Sequence, residues 1–235
     1  MKSIPYNDYY ESKLLSIPLF KDLPVNLKCE IIRKLHFKLY EIDKDTVIIE
    51  QGSTCCYLYI LLEGILEVNI IDANGNEVLI EHIEAPRTFA TPHLFQRDNR
   101  FPATFKTLNK SVLLTATKDS TFELLSKYPE MLKSFFCISG NCNACTTSRL
   151  DVLSRKTIRE RVLVYLIKKL KKDSSTIKIT HTITQLAEYL NVTRPALSTE
   201  FNKMEKEGII RRKGNNHIEL NLKMIRNLYN YCLFE

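Results

Sequence analysis

The stretch TITQLAEYLNVTRPALSTEFNKMEKEGII, residues 182–210, contains two helical patterns separated by a very short turn. Thr182 can cap the first helix, because Gln185 follows three residues later and completes a capping box. The apolar residues of this helix are expected to face inward: Leu186, Ala187 and Leu190. Asn191-Val192 provides the turn. The pattern therefore predicts a helix-turn-helix.

The second helix of this motif has a polar, basic N-terminus. Thr193 is the expected N-cap, and spacings of four and three predict the buried stripe Leu197, Phe201 and Met204. The residues expected to point outward are Arg194, Pro195, Ser198, Thr199, Asn202 and Lys203. An exposed arginine at a helix N-terminus suits a DNA major groove, because helix N-termini attract phosphate and arginine can bond guanine O6 and N7 together.

A basic hairpin is predicted directly after this motif. Following Gly208, the residues IIRRKGNNHIEL form two strand patterns around Gly214-Asn215-Asn216. A wing of this kind commonly contacts phosphate, so its cations are expected at the DNA backbone: Arg211, Arg212 and Lys213.

The positive charge of the chain is concentrated around the motif. Residues 151–235 contain 17 Lys and Arg against 9 Asp and Glu, net +8, whereas residues 1–150 contain 17 against 18, net −1. A neutral half followed by a basic half is typical of a regulatory module joined to one that meets a polyanion, most often nucleic acid. The alternative is a solvated basic surface on a helical hairpin that binds nothing.

A long helix is predicted upstream of the motif. It begins at Pro129 and runs to about Leu153, and Thr157 with Glu160 then forms a capping box that starts a new helix after a hinge at residues 154–157. Its apolar stripe is Phe135, Ile138, Cys142, Cys145 and Val152, interrupted by Arg149. Such a seam resembles a short coiled coil and predicts pairing with a second copy, the alternative being packing on its own β-domain.

The N-terminal half is predicted to be rich in β-structure. Residues 14–39 give a short helical start in which Asp22 can cap and Pro24 suits a first turn. From Lys38 to about Thr117, short β-rich runs alternate with turn signals, which is typical of a small barrel or sandwich. Asn74-Gly75-Asn76 between two apolar runs predicts a hairpin.

Composition excludes several classes of protein. The chain has 235 residues, 44% hydrophobic and 26% charged, as in ordinary globular domains. Its apolar runs are far shorter than a membrane span and its N-terminus lacks a signal-peptide pattern, so a soluble cytoplasmic protein is expected. Seven cysteines without an export signal predict free thiols.

Four stretches carry a resemblance to a known family: IPLFKDLP at 17–24, EQGSTCCYLYILLEGILEV at 50–68, TIRERVLVYL at 157–166, and LAEYLNVTRPALSTEFNKMEKEGII at 186–210. With these, the chain resembles the bacterial Crp/Fnr superfamily of transcription regulators over essentially its full length. The resemblance implies an α+β fold: an N-terminal double-stranded β-helix (a jelly-roll-like β-roll), a long dimerisation helix and a C-terminal winged helix-turn-helix. It also implies a homodimer on palindromic DNA, with RNA polymerase as an expected partner.

The implied domains are an effector domain at 1–128 of the cyclic nucleotide-binding type, the dimerisation helix at 129–153 and the DNA-binding domain at 154–235. By the same resemblance, the base-reading positions are Arg194, Pro195, Ser198 and Thr199. The positions near phosphate are Thr182, Thr184 and Thr193. Members often have a second arginine where this chain has Thr199 and a glutamate where it has Pro195, so a different operator is expected.

The effector positions depart from the family pattern. Members that bind cyclic AMP use Phe-Gly-Glu and a later Arg-Ser/Thr-Ala, where this chain has Phe89-Ala90-Thr91 and Phe101-Pro102-Ala103. A cyclic phosphate would be left unpaired, so cyclic AMP is not expected as the effector. The remaining candidates for a pocket wall are Thr146, Thr147, Tyr57, Tyr59, Arg87 and Arg97.

Metal and redox inputs are alternatives. Fnr-type members hold an iron–sulfur cluster with N-terminal cysteines, but this chain has only Cys29 there, and its compact set is Cys137, Cys142 and Cys145. On a continuous helix the first and last of these lie about 12 Å apart along the axis, too far to share one small metal centre unless the helix breaks near Gly140. Buried thiols are therefore expected; thiol redox sensing, a metal or cluster, and a haem bound through His82 or His93 remain alternatives.

Two other classes of function can be weighed. The sequence has no phosphate-binding glycine loop, zinc-protease motif or nucleophile elbow, so an enzyme is not expected. A ligand-binding scaffold whose helix-turn-helix no longer binds DNA is the other alternative.

Overall fold

The chain folds into two units, Met1–Thr146 and Thr147–Glu235. The computed structural model describes residues 1–235 apart from 73, 74, 76, 172, 173, 180, 215 and 230–235, and it leaves out the side chains of residues 25, 143–146 and 229. Within the described ranges, no helix is long and apolar enough to cross a membrane.

The first unit begins with a short strand and three helices: β1 Lys2–Ser3, α1 Asp8–Ser16, α2 Pro18–Lys21 and α3 Val25–Lys34. Asn7 caps α1, because its side-chain oxygen accepts a hydrogen bond from the backbone N–H of Tyr10 at 3.2 Å. The predicted capping role of Asp22 is wrong. That residue ends α2 as its C-cap, and the extended Pro24 stands at the N-cap of α3.

Two antiparallel sheets form the body of the first unit and confirm the predicted β-roll. Their strands are β2 Phe37–Ile42, β3 Val47–Ile49, β4 Tyr57–Glu63, β5 Ile65–Ile71, β6 Glu77–Glu84, β7 Arg87–Phe89, β8 Thr104–Thr107 and β9 Ser111–Thr117. One sheet has the order β1-β2-β9-β4-β7 and the other β3-β8-β5-β6. The short helix α4, Thr91–Leu94, connects β7 towards β8.

The turns of the roll follow the glycine signals. Gly64 has φ +94°, and a Cβ there would lie 2.1 Å from Ser111 Oγ, so only glycine fits between β4 and β5. Strands β5 and β6 pair as the predicted hairpin, with Ile71 opposite Glu77. Asn74 and Asn76 of its turn lie outside the described residues.

Two helices follow the roll, α5 Lys118–Lys127 and α6 Pro129–Ser154. Helix α6 runs without a break through Gly140, as predicted for a continuous long helix. Two residues of the predicted seam pack within the units: Phe135 belongs to the core of the first unit and Val152 to the core of the second. Among the described side chains of α6, the large apolar ones that are exposed are Phe136 and Leu150, whereas Ile138 and Cys142 of the predicted stripe are half-buried.

The second unit contains the elements of a winged helix-turn-helix. They are α7 Ile158–Lys169, β10 Thr176–Lys178, α8 Ile183–Tyr189, α9 Arg194–Lys206, β11 Ile210–Lys213, β12 His217–Leu220 and α10 Leu222–Tyr229. The Thr157–Glu160 capping box starts α7 as predicted. The wing strands pair with each other and with β10, a third strand that the sequence analysis missed.

Candidate DNA interface

Local hydrogen bonds fix both helices of the helix-turn-helix as predicted. Thr182 Oγ1 accepts from the N–H of Gln185 at 3.2 Å, and the Gln185 side chain accepts from the N–H of Thr182 at 2.8 Å. Asn191 adopts φ +51° in the turn. Thr193 Oγ1 accepts from the N–H of Ala196 at 3.4 Å, a long bond that nevertheless marks the N-cap of α9.

The two faces of α9 separate as the spacing predicts. Leu197, Phe201 and Met204 are buried in the core of the unit. Of the outward residues, Ser198 is half-buried and the others are exposed: Arg194, Pro195, Thr199, Asn202 and Lys203. The threonines assigned to phosphate are exposed too: Thr182, Thr184 and Thr193. Within the described part of the chain, no ion pair or hydrogen bond engages Arg194, so its guanidinium is available to a ligand.

Two arginines hold the C-terminal end of α8. Arg161 donates to the carbonyl oxygens of Leu190 and Asn191 at 3.1 and 3.3 Å. Arg149, only 1% exposed, donates to the carbonyl of Glu188 at 3.3 Å, and its guanidinium lies 4.2 Å from the Tyr189 ring centre. These contacts complement the carbonyls at the negative end of the helix.

Burial lowers the pKa of Arg149 to about 10, so the side chain stays charged at neutral pH. The sequence analysis recorded this residue only as an interruption of the apolar stripe. A charged residue within such a stripe was the signal for a buried contact.

A third arginine connects α7 to the recognition helix. Arg159 donates to Glu200 at 2.6 Å and, through its two terminal nitrogens, to both carboxylate oxygens of Glu207 at 2.7 and 2.8 Å. The hydrogen bonds from Arg159 hold the pKa of the Glu207 carboxyl below its usual range. This clamp was also missed, because its partners are 41 and 48 residues apart in sequence.

The three wing cations have different surroundings. Arg212 donates to Glu205 at 2.9 and 2.5 Å and to Asn202 Oδ1 at 2.7 Å, while Lys213 pairs with Glu219 at 3.0 Å. Arg211 is exposed, and no partner engages it within the described residues. The hydrogen bonds from Arg212 lower the pKa of Glu205. Of the three predicted phosphate contacts, Arg211 alone is therefore not already held by a carboxylate in this part of the chain.

Two of the residues that match the cyclic-nucleotide positions of the family are aromatic. Phe89 and Phe101 are both buried, and each lies against Phe105, at ring-centre distances of 5.5 and 5.9 Å. Tyr59 packs on the same two rings at 5.7 and 5.9 Å. Ala90 takes a left-handed φ of +57°.

Two further residues lie at the positions that match the cyclic-nucleotide residues of the family. Thr91 is buried and offers only a hydroxyl where the family has a carboxylate, and Pro102 is exposed next to Phe101. By the resemblance, Phe101 matches the family's phosphate-pairing arginine, and its buried ring packs on Tyr59 and Phe105.

The structure does not bring the other effector candidates together. Tyr57 and Tyr59 line a cavity of about 340 Å³ with His36 and Lys38, whereas Arg87 lines a different cavity. Arg97 is exposed. Thr147 belongs to the second unit, and the side chain of Thr146 lies outside the described residues.

The cysteine set is only partly described. The prediction of buried thiols is wrong for Cys137, which is exposed beside the exposed Phe136 of α6. Cys142 is half-buried, and both cysteines line the same cavity as Arg87. The side chain of Cys145 is outside the described residues. Because α6 is unbroken, the axial separation of about 12 Å between the first and last of the three backbone positions holds. Among the side chains that the structure describes, no group of three or more His, Cys, Asp or Glu is placed to hold a metal.

The histidines considered as haem ligands have protein partners. His82 is 3.7 Å from Glu67, and His93 Nδ1 is 3.1 Å from the side-chain oxygen of Gln96.

Comparison with known proteins matches both units to described families. The family model "Cyclic nucleotide-binding domain" matches residues 40–128, and the model "Crp-like helix-turn-helix domain" matches residues 160–228. The chain is 23% identical, over 207 residues, to a curated protein named probable transcriptional regulator Flp from Lacticaseibacillus casei, covering 84% of this chain and 89% of that protein.

Solved structures of the same architecture are also similar to the chain. A CooA variant from Carboxydothermus hydrogenoformans matches with a TM-score of 0.65 at 15% identity, covering 84% of this chain and 89% of that one. FixK2 from Bradyrhizobium japonicum matches with a TM-score of 0.59 at 16% identity, covering 83% and 98%. The structural matches establish the fold, and together with the two family models they lead to one assignment: the chain belongs to the Crp/Fnr superfamily of DNA-binding transcription regulators.

Proposed function

We propose that the protein works as a homodimer that places its two α9 helices in successive major grooves of a palindromic operator. The observation that carries this proposal is the capped N-terminus of α9, where Arg194 is exposed and its guanidinium is available. An arginine in this position can bond O6 and N7 of one guanine, which discriminates strongly against other bases.

The neighbouring residues take roles by position in the motif. Pro195, Ser198 and Thr199 are proposed to face the bases with Arg194. The phosphate contacts are proposed for Thr182, Thr184, Thr193 and Lys203, with Arg211 as the principal wing residue. Arg212 and Asn202 form one hydrogen-bonded unit and are proposed to meet the backbone together.

The dimer contact is proposed on the exposed face of α6. Phe136 is 65% and Leu150 63% exposed. Fourteen residues separate them, close to four helical turns, so they lie on the same helix face about 21 Å apart. A second copy of α6 is the proposed occupant, because exposed apolar residues two heptads apart suit a parallel helix pair.

The N-terminal domain, proposed to cover residues 1–128, is the sensor. Its effector is proposed to be a small molecule other than cyclic AMP, because the matching positions are filled by packed rings. The proposed setting is the cytoplasm, with RNA polymerase as a partner and no catalytic activity of its own. An effector that binds one arrangement of the dimer more tightly would shift the population towards it.

The test begins with DNA duplexes selected from a random-sequence pool by the wild-type protein. Arg194→Ala is expected to bind the selected duplex about 10- to 100-fold more weakly and to lose its preference at one base pair of each half-site. Lys206→Ala removes the same charge from the other end of α9 and is the matched control. Fluorescence anisotropy of single-base variants measures both effects.

Unchanged base preference in Arg194→Ala would show that the assignment of this residue is wrong. Absence of any salt-dependent DNA affinity in the wild type would instead favour a ligand-binding scaffold.

A further inference from the structure

A cavity of about 580 Å³ lies within the first unit, along the N-terminal half of α6. Helix residues from Glu130 to Cys142 form one wall, and the β6–β7 turn, from Glu84 to Thr88, forms the other. Pro18 and Asp22, at the two ends of α2, complete it. Its volume lies within the range of roughly 300–1,000 Å³ that is usual for small-molecule sites.

The charged lining of this cavity is predominantly negative. Asp22, Glu84 and Glu130 contribute three carboxylates, and none of them forms an ion pair within the described residues. The cations are Lys133 and Arg87. The charge of Arg87 is already compensated, because its Nη1 is 3.1 Å from a carboxylate oxygen of Glu81. The lining therefore favours an ammonium group over a carboxylate or phosphate.

A buried hydroxyl on the cavity wall lacks a protein partner. Thr88 is 3% exposed, it lines the cavity, and its Oγ1 has no hydrogen-bond partner among the described residues. Leaving such a group unsatisfied costs about 1–3 kcal/mol, so buried hydroxyls normally meet a partner. Most of the charged lining residues are exposed and Arg87 is half-buried, whereas Thr88 is buried. A ligand with polar groups at both ends of a short apolar chain would meet both.

The apolar part of the lining suits such a chain. Pro18, Pro86 and Ile138 provide carbon surface, and the thiols of Cys137 and Cys142 add soft, weakly polar contacts. The geometry points to a binding site for a small aliphatic amine that carries two ammonium groups on a short methylene chain. One ammonium donates to Thr88 Oγ1 and the other lies among the carboxylates of Asp22, Glu84 and Glu130.

Binding of the amine does not depend on the proposed function, but its expected effect on DNA affinity does. Helix α6 forms a wall of the cavity and continues to Ser154 in the second unit. A ligand that fills the cavity therefore contacts the element that is proposed to pair with a second copy. Amine binding is expected to change the DNA affinity of the dimer.

Three probes of equal chain length test the charge preference by calorimetry on the full-length protein without DNA. They are 1,4-diaminobutane, 4-aminobutanoate and butanedioate, which carry two, one and no ammonium groups. The diamine is expected to bind about tenfold more tightly than 4-aminobutanoate, and butanedioate is expected not to bind. Equal binding of all three probes, tighter binding of either carboxylate-bearing probe, or no binding of the diamine would overturn the inference.

Variants locate the site. Glu84→Gln and Glu130→Gln are each expected to weaken diamine binding about threefold, and the double variant about tenfold, since exposed charges contribute modestly and additively. Thr88→Val keeps the shape of the side chain and is expected to weaken binding about fivefold. Glu123→Gln, an exposed carboxylate on α5 away from the cavity lining, is the matched control. Full diamine affinity in the double variant would place the bound amine elsewhere.

Cys137 supplies an independent readout of occupancy. Its thiol is exposed and lines the cavity, so N-ethylmaleimide should alkylate it, and saturating 1,4-diaminobutane should slow that alkylation, as followed by peptide mass spectrometry. Unchanged alkylation at saturating diamine would contradict the site.

The regulatory consequence is tested with the selected operator. Diamine is expected to change the DNA affinity of the wild type but not that of the double variant Glu84→Gln/Glu130→Gln. Because both proteins are measured in the same buffer, the double variant controls for diamine that binds the DNA itself. Equal responses would overturn the regulatory consequence alone. If neither the wild type nor the variants bound DNA without diamine, the proposed function would be wrong. The calorimetric result would still show whether the cavity binds the diamine.

Discussion

Polar side chains stand at the surface of the helix-turn-helix, whereas aromatic rings fill the matching ligand positions of the β-roll. Arg194, at the start of α9, is exposed and available to a ligand. Phe101, at the position of the family's phosphate-pairing arginine, is buried against Tyr59 and Phe105. One unit therefore exposes a cation at its proposed DNA surface, whereas the other buries an apolar ring at the matching ligand position.

The two positions differ in how the replacement of a charged side chain by an apolar one affects stability and binding. Substituting a charged ligand contact by phenylalanine adds buried apolar surface, which stabilises the roll by about 25 cal/mol per Å². The same substitution on α9 would expose apolar surface and remove a DNA contact. An apolar side chain is therefore stabilising at the buried position of the roll, whereas at the start of α9 it is not.

Restoring the family's arginine in the roll gives the largest expected effect. Phe101→Arg places a charge in the aromatic cluster, and an uncompensated buried charge destabilises a domain by about 3–5 kcal/mol. Hydrogen exchange of the β7 and β8 peptides, followed by mass spectrometry, measures the local loss of stability. Phe101→Leu is the apolar control and should cost about 1 kcal/mol.

Binding of cyclic AMP to this variant is the result that would contradict the comparison. The wild type is expected to show no micromolar binding of cyclic AMP in calorimetry. A stable Phe101→Arg protein that acquires such binding would show that the roll retains a usable nucleotide site, and the contrast between the two units would fail.

An intermediate effect is expected from the buried arginine behind the helix-turn-helix. Arg149→Met keeps an unbranched apolar stem but loses the hydrogen bond to Glu188 and the stacking on Tyr189. The free energy of unfolding of the second unit should fall by about 1–3 kcal/mol. Urea unfolding by circular dichroism is the suitable measurement, because the chain has no tryptophan.

Arg149→Lys distinguishes charge from geometry at this site. Lysine keeps the charge but lacks the planar group, so it should recover less than half of the loss. Full recovery by lysine would mean that the charge alone holds the end of α8.

Local signals explain which parts of the second unit could be predicted. The caps at Thr157, Thr182 and Thr193 involve residues three positions apart, so the sequence contains the whole interaction. The clamp from Arg159 to Glu207 joins residues 48 apart, and its geometry exists only after α7 and α9 pack. Side-chain pairs of this kind lie beyond any periodic pattern.

The first unit shows the same limit. Turn glycines and alternating runs predicted a small barrel or sandwich, and the family resemblance predicted the β-roll. The expectation from residues 89–91 and 101–103 that cyclic AMP does not bind stays a prediction. The effector residues proposed by position do not all line one cavity, because Tyr59 lines one cavity and Arg87 another. A cavity depends on which strand ends and helix faces meet, and the sequence gives no measure of that space.

The smallest expected effect concerns the wing and sharpens the description of the DNA-facing unit. Arg211 and Arg212 are adjacent, but only Arg212 is hydrogen-bonded to Glu205 and Asn202 in the described structure. Each phosphate contact contributes about one unit to the slope of log affinity against log salt concentration. Arg211→Ala should lower that slope by about one, and Arg212→Ala by clearly less, because a paired guanidinium displaces fewer counterions.

Glu205→Gln tests whether the ion pair between Arg212 and Glu205 stays closed or opens when DNA binds. Removing this carboxylate leaves Arg212 free to meet phosphate, so the slope should rise and DNA affinity should increase a few fold. Equal slopes for Arg211→Ala and Arg212→Ala, with no change in Glu205→Gln, would mean that the pair opens whenever DNA binds. All the wing cations would then be available to phosphate, because opening an exposed ion pair of this kind costs only about 0–1 kcal/mol.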